Sequence, residues 1–375
     1  MSDVTIHVGD CIEQMRQIPD ESVDTVITSP PYWGLRDYGG DGKVWGNRYC
    51  ERADGETYKH HEWEGYTRPS ENTRKNNNSL QLKSAYWKPQ DQAFCKHCDA
   101  WFGQLGLEPT HDQYVKNMVK VFDEVKRILK PEGTLWLNLG DSYCAGSRKS
   151  NVGQTMHEGD ERTLPTQMRN QASGSLKSKD LVGIPWRVAL ALQEAGWWLR
   201  QDIIWAKPNC MPESVKDRCT KNHEYMFLLT KSAHYYFDHE AIKEPIKDIS
   251  AKRMLRGMSD NHKTTNGAPG QKPHSLAQPR LNKTKTEAPD FEKTRNKRSV
   301  WWVSPKPFSE AHFAVFPIDV FDPFGGSGTT AIAAIKHGRK AILTELSPDY
   351  VKIAEKRISD FKRATGLDKE GVEWL

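Results

Sequence analysis

Ile318-Asp319-Val320-Phe321-Asp322-Pro323-Phe324-Gly325-Gly326-Ser327-Gly328-Thr329 passes from a short apolar run through a glycine-rich turn into a helical stretch, residues 330–337. A strand that breaks at glycines and restarts as a helix is the entry unit of an α/β sheet, and such turns hold ligands. Gly326 and Gly328 let the chain reverse tightly and let a ligand approach the backbone. The first turn of the helix offers N–H groups that lack helical partners. The next apolar run, Ala341-Ile342-Leu343-Thr344-Glu345, ends in an acid about twenty residues past the glycines, where a carboxylate takes ribose hydroxyls. Together they point to a nucleoside cofactor.

Further apolar runs at residues 23–27, 134–139, 202–205 and 225–229 read as strands. Between them, residues 113–129 place Tyr114, Met118, Val121, Phe122 and Val125 on one helical face, and Lys130-Pro131-Glu132-Gly133 stops the helix. Residues 182–195 and 348–361 read as further amphipathic helices. The class is α/β, with the alternation that a parallel sheet requires.

The 375 residues suffice for one large domain with insertions, and 54 Lys/Arg against 49 Asp/Glu is only a mild basic excess. Its distribution is uneven. Residues 251–298 hold twelve Lys/Arg and four Asp/Glu, a net +8 that leaves −3 for the rest, and read as a nucleic-acid contact segment. Residues 65–92 and 146–179 are polar and read as surface insertions. No run approaches the roughly 20 apolar residues of a membrane span, and residues 1–10 lack a leader pattern, so a cytoplasmic protein is expected. Seven scattered cysteines argue for reduced thiols.

The second signature, Thr28-Ser29-Pro30-Pro31-Tyr32-Trp33, directly follows the 23–27 strand. Two prolines stiffen the turn, so that the Ser29 hydroxyl and a carbonyl point outward as acceptors for a planar amine.

The two signatures, in this order, resemble the β-class DNA amino-methyltransferases, which modify cytosine N4 or adenine N6 with S-adenosylmethionine. The resemblance covers most of the chain, and the stretches 181–186 and 198–209, Pro212-Glu213-Ser214 and His223-Glu224-Tyr225 continue it toward phage and restriction–modification members. It implies a Rossmann-like core with circularly permuted motif order, in which both chain ends meet at one cofactor site. Gly9-Asp10 matches the family's leading Gly-Asp, so Asp10 resembles the acid that contacts the adenine amine, and Glu345 resembles the ribose acid. Asp322, Phe324, Gly326, Gly328 and Thr329 fall in the family's cofactor motif; Ser29, Pro30, Pro31 and Tyr32 fall in its catalytic motif.

On this resemblance the substrate is double-stranded DNA with the target base flipped out. The amine's lone pair is delocalised into the ring, and acceptors on its N–H groups, from the Ser29 hydroxyl and the Pro30 carbonyl, favour the tetrahedral geometry that attacks the methyl group. Tyr32 stacks on the base, a contact of roughly 1–3 kcal/mol. No strong general base is needed. Ser rather than Asp at the first position favours cytosine N4; adenine N6 is the alternative. The short lead from Phe316-Pro317 into the 318–321 strand departs from the family pattern and leaves open a catalytically inactive DNA-binding relative. Trp33, Arg36, Asp37, Tyr38 and Asp141 are further pocket candidates.

Cys95-x-x-Cys98 has the spacing of half a zinc site, and Cys50 and His61 could supply the rest, giving a structural zinc knuckle; two thiols on a loop is the alternative. The expected organisation is a first core part at 1–49, the knuckle at 50–100, and a second core part at 101–245. A basic target-recognition segment at 246–299 and the cofactor part at 300–375 follow.

Overall fold

A computed structural model describes residues 4–34, 42–46, 50–51, 57–58, 93–95, 97–98, 100–144, 176–210, 212–246, 294–303 and 319–367. Its strands are β1 (Val4–Val8), β2 (Val23–Thr28), β3 (Lys43–Trp45), β4 (Cys50–Glu51), β5 (Thr57–Tyr58), β6 (Ala93–Phe94), β7 (Trp101–Gly103), β8 (Leu129–Leu139), β9 (Trp198–Ala206), β10 (His223–Thr230), β11 (Glu244–Pro245), β12 (Thr294–Arg295), β13 (Val300–Trp302), β14 (Asp319–Asp322) and β15 (Lys340–Glu345). The helices are α1 (Cys11–Met15), α2 (His111–Ile128), α3 (Ile184–Glu194), α4 (Thr329–Lys336) and α5 (Pro348–Thr365).

The chain divides into two compact units. The first comprises Met1–Tyr236, Ser299–Ser309 and Phe316–Leu375; the second comprises Phe237–Arg298 and Glu310–Val315. In the second, β11 pairs antiparallel with β12, and Glu244 is ringed by Arg295 (3.4 Å), Lys297 (3.7 Å) and Arg298 (3.6 Å). Most of the basic segment, residues 251–293, lies outside the described residues, as do residues 65–92, 146–175 and the Phe316-Pro317 lead.

The first unit is built on an eight-stranded sheet in the order β1-β15-β14-β2-β8-β10-β9-β13. The strand that opens the chain therefore lies beside the strands that close it, with Val8 opposite Glu345. This is an α/β fold with the permuted order that the two signatures imply. The expectation of a parallel sheet needs correction: β10 runs antiparallel to both β8 and β9. Parallel neighbours require a crossover, usually a helix, and the connection from β9 to β10 (residues 207–222) contains none, so the chain returns in the opposite direction.

Alternation fixes the two faces. Leu135, Leu137 and Leu139 of β8, with Phe227 and Leu229 of β10, join one core with Tyr114, Met118, Val121, Phe122 and Val125 of α2 and Val188 and Leu192 of α3. The intervening Trp136, Met226 and Leu228 belong to a different cluster, as the two-residue period of a strand demands. A third cluster joins Val320, Ala341 and Leu343 to Ala331 and Ile335 of α4 and Ile358 of α5. Strand β1, Val4-Thr5-Ile6-His7-Val8, was not expected from the sequence; it is a partly exposed edge strand with little apolar contrast.

The loop between β7 and α2 supports the turn after β2. Glu108, buried at 4 % exposure, accepts from Gly106 N (2.8 Å) and Asn117 Nδ2 (3.0 Å). Its backbone carbonyl takes the Trp33 indole N–H at 2.8 Å, and Gly106 O takes the Gly34 N–H at 2.7 Å. Burial pushes the Glu108 carboxyl up to about 7, from 4.5, against the opposing pull of those hydrogen bonds. The folded chain then holds a proton that the unfolded chain releases, so the contribution of this group to stability is fully present below pH 4.5 and is lost as pH rises through about 7. Urea denaturation across that window should show a loss of about 3 kcal/mol from this group, a slope that Glu108→Gln flattens.

Candidate active site

Strands β14, β15 and β1 end side by side, and their ends carry the expected cofactor residues. Asp322, at 5 % exposure, accepts from Phe324 N (3.0 Å), the Thr330 hydroxyl (2.7 Å) and the Thr28 hydroxyl (2.7 Å). Burial is the main influence on its carboxyl and pushes its pKa up. Asp322 is thus the organiser of the glycine turn. Gly326 (φ 50°) and Gly328 (φ 77°) adopt the left-handed conformation there. A Cβ on Gly328 would press to 3.0 Å on Ala354, whereas one on Gly326 would meet only Phe324 O, at 3.8 Å, so the turn is less crowded there.

Glu345 accepts from Gly326 N (2.7 Å) and Ser347 N (2.9 Å), so the acid is locked to the turn it faces. Gly9 N donates to Glu345 O at 2.9 Å, which brings Asp10 alongside. Asp10 caps α1 through Ile12 N (3.1 Å) and Glu13 N (3.2 Å) and pairs with Lys43 Nζ at 2.6 Å. Phe324 is half-buried against the core, and Thr329 is exposed, its hydroxyl 3.2 Å from Arg357 Nη1. The structure brings all seven residues to one end of the sheet.

The Ser-Pro-Pro-Tyr turn leaves β2, the strand next to β14. Ser29 is exposed and Pro30 is buried. The Pro31 carbonyl accepts from the Tyr114 hydroxyl at 2.9 Å. Tyr32 packs so closely over Gly140 that a Cβ there would lie 2.6 Å from its ring. Its hydroxyl meets Ser29 Oγ (3.1 Å), Asn138 Nδ2 (2.9 Å) and Glu224 Oε2 (3.2 Å), and Glu224 forms an ion pair with Lys207.

Two expectations change. Asp141 does end β8 on the same edge as Ser29, but its side chain, at 2 % exposure, caps α3 through Gly183 N and Ile184 N (both 3.0 Å) and does not open to a pocket. Trp33 is likewise a packing residue, and residues 36–38 lie outside the described residues. In the knuckle, β6 and β7 form a hairpin that places Cys95 and Cys98 together, with Cys95 N donating to Ala100 O at 2.8 Å. Cys50 lies on β4; His61 is outside the described residues. Among the described residues no group of three or more His, Cys, Asp or Glu could hold a metal, so the four-ligand zinc site is not supported.

Glu224, Lys207 and Thr28 were not anticipated as site residues. The signal for Glu224 was present: a carboxylate on the same strand as the apolar run 225–229, directly before it, calls for a partner. Asn138 within Leu135–Leu139 carries the same signal. Nothing local distinguishes Thr28, because its partner lies 294 residues away.

The N6/N4 methylase model, described as DNA methylase, matches residues 23–356. The chain is 33% identical over 373 residues to the Type II methyltransferase M.Cfr9I of Citrobacter freundii, covering 96% of this chain and 88% of that one. It is 34% identical over 370 residues to the Type II methyltransferase M.SmaI of Serratia marcescens, covering 94% and 90%. Among solved structures, it is similar to the PvuII DNA methyltransferase (cytosine-N4-specific), at 14% identity and TM-score 0.47 over 98% of this chain and 94% of that one.

Replacing Asp322 by Asn puts an N–H where donors now converge. The variant should bind S-adenosylmethionine at least about tenfold more weakly, in line with loss of a charge-assisted hydrogen bond, when measured by calorimetry.

Proposed function

The chain belongs to the N6/N4 DNA methylase family and is an S-adenosylmethionine-dependent DNA amino-methyltransferase of the restriction–modification type; on that premise we propose that its target is cytosine N4 in double-stranded DNA, with Ser29 and the Pro30 carbonyl as the amine's acceptors. Ser at the first position of the turn, where members of the family carry Ser or Asp, is the observation that carries the choice of base. No helix among the described residues is long and apolar enough to cross a membrane.

S-adenosylmethionine supplies an electrophilic methyl group on a sulfonium. We assign Asp10 to the adenine amine, Glu345 to the ribose hydroxyls, and the Gly326 turn to close approach of the backbone. Ser29, exposed at the end of β2, accepts one N–H of the flipped base. The Pro30 carbonyl accepts the other, beside a Pro31 carbonyl that takes the Tyr114 hydroxyl. Tyr32, tethered through its hydroxyl, offers its ring to the base. Flipping costs a few kcal/mol and holding the amine in line lowers the entropic barrier to attack. The basic segment 251–298 supplies phosphate contacts.

Incubation with labelled S-adenosylmethionine and duplex DNA, followed by mass spectrometry of the nucleosides, should yield N4-methylcytosine; N6-methyladenine would reverse the base assignment. Ser29→Ala should cut the transfer rate by at least about 100-fold, comparable to deleting one preorganised hydrogen-bonding group, with DNA affinity within about twofold of the parent in a gel-shift assay. Retained transfer would refute the role given to Ser29.

A further inference from the structure

The hydrogen bonds behind the catalytic turn have only one consistent direction, and Glu224 sets it. Glu224 sits on β10, two strands from Ser29, with its side chain at 20 % exposure and paired with Lys207. An ionised carboxylate accepts and cannot donate. The Tyr32 hydroxyl, 3.2 Å from Glu224 Oε2, must therefore give its proton to Glu224. Asn138 must turn its Nδ2 toward the same pair, 3.1 Å from Glu224 and 2.9 Å from Tyr32. Its Oδ1 is left buried without a hydrogen-bond partner, a cost that shows how strongly the carboxylate dictates the amide's orientation. With its proton directed at Glu224, the Tyr32 oxygen can only accept from Ser29, 3.1 Å away. The Ser29 proton then points back into the protein, and its remaining lone pairs face outward.

We propose that Glu224, held by Lys207, is a positioning residue that orients the Ser29 hydroxyl as an acceptor by way of Tyr32. This rests on the reading of Ser29 as acceptor for the base amine. Without the carboxylate, the phenol is free to reverse and donate to Ser29, which then turns its own proton toward the amine and opposes the geometry that methyl transfer requires. Glu224 touches neither base nor cofactor in this role.

The test is a double-mutant cycle of Glu224→Gln and Tyr32→Phe, read as the single-turnover rate of methyl transfer to duplex DNA. Glu224→Gln keeps the shape and supplies N–H groups that reverse the phenol. In the parent it should slow transfer about tenfold, the weight of one hydrogen bond, with affinity for S-adenosylmethionine unchanged. In the Tyr32→Phe background, where the relay is already cut, the same change should cost less than about twofold. An equal loss in both backgrounds, or no loss in the parent, overturns the proposal. A merely structural role would give the equal loss. If Glu224→Gln does not fold, Lys207→Gln enters the same cycle, with a smaller loss expected in the parent only and an equal loss in both backgrounds again overturning it. Activity retained in Ser29→Ala would sink the acceptor reading itself; an inactive Ser29→Ala beside an additive cycle sinks only the role of Glu224.

Discussion

The hydrogen bond from the Thr28 hydroxyl to Asp322 joins the roots of the two signature turns. Thr28 is the last residue of β2 and the one before Ser29; Asp322 is the last residue of β14 and opens the glycine turn. The strands are direct neighbours, with Val320 opposite Thr25 and Phe321 opposite Val26. A single buried carboxylate therefore fixes the start of the catalytic turn, through Thr28, and the course of the cofactor turn, through Phe324 N and Thr330. Methyl transfer needs donor and acceptor held within a fraction of an ångström of their reacting geometry, and a shared anchor at the root of both turns is a direct way to hold that distance.

The chain order makes this arrangement possible. Because β1 lies beside β15, the first and last parts of the chain complete one sheet edge. The antiparallel β10 then places Glu224 opposite Asn138's neighbourhood at the far side of the turn, since its register sets Met226 against Asn138 and Tyr225 against Leu139. A parallel β10 would deliver its other end to this edge, and Glu224 would lie far from Tyr32. The strand that broke the expected parallel pattern is thus the one that brings a carboxylate to the catalytic turn.

The strands and helices were largely legible because burial imposes periodicity: a two-residue period in β8 and β10 and a helical stripe in α2. The two signatures were legible because proline and glycine have few structural synonyms. What escaped was of two kinds. Strand β1 carries little contrast between its faces at the sheet edge, and the hairpin from β9 to β10 is distinguished from a crossover only by the lack of a helix between them. The carboxylates of Asp141 and Asp322 were legible as acids at strand ends, but which groups they accept from depends on segments up to 294 residues away. Its place at a strand end made Asp141 a pocket candidate; the backbone N–H of Ser142 and those of Gly183 and Ile184 at the start of α3 claim it instead.

The catalytic turn is consequently held from every side except the one that faces solvent. Thr28 is tied to Asp322, Pro31 O to Tyr114, Trp33 to the Glu108 carbonyl, Gly34 N to Gly106 O, and Tyr32 to Glu224 and Asn138. Only Ser29 is exposed among residues 28–34. A hydroxyl on a free loop would reorient with each encounter and lose most of its value as an acceptor; on this turn its position is set before any base arrives. The amine is a weak nucleophile, so the rate depends on how completely its N–H groups are held as the nitrogen becomes tetrahedral. Rigidity that is already built into the folded chain need not be created at the moment of reaction, and under the roles proposed for Ser29 and the Pro30 carbonyl this lets a hydroxyl and a carbonyl serve without a strong base.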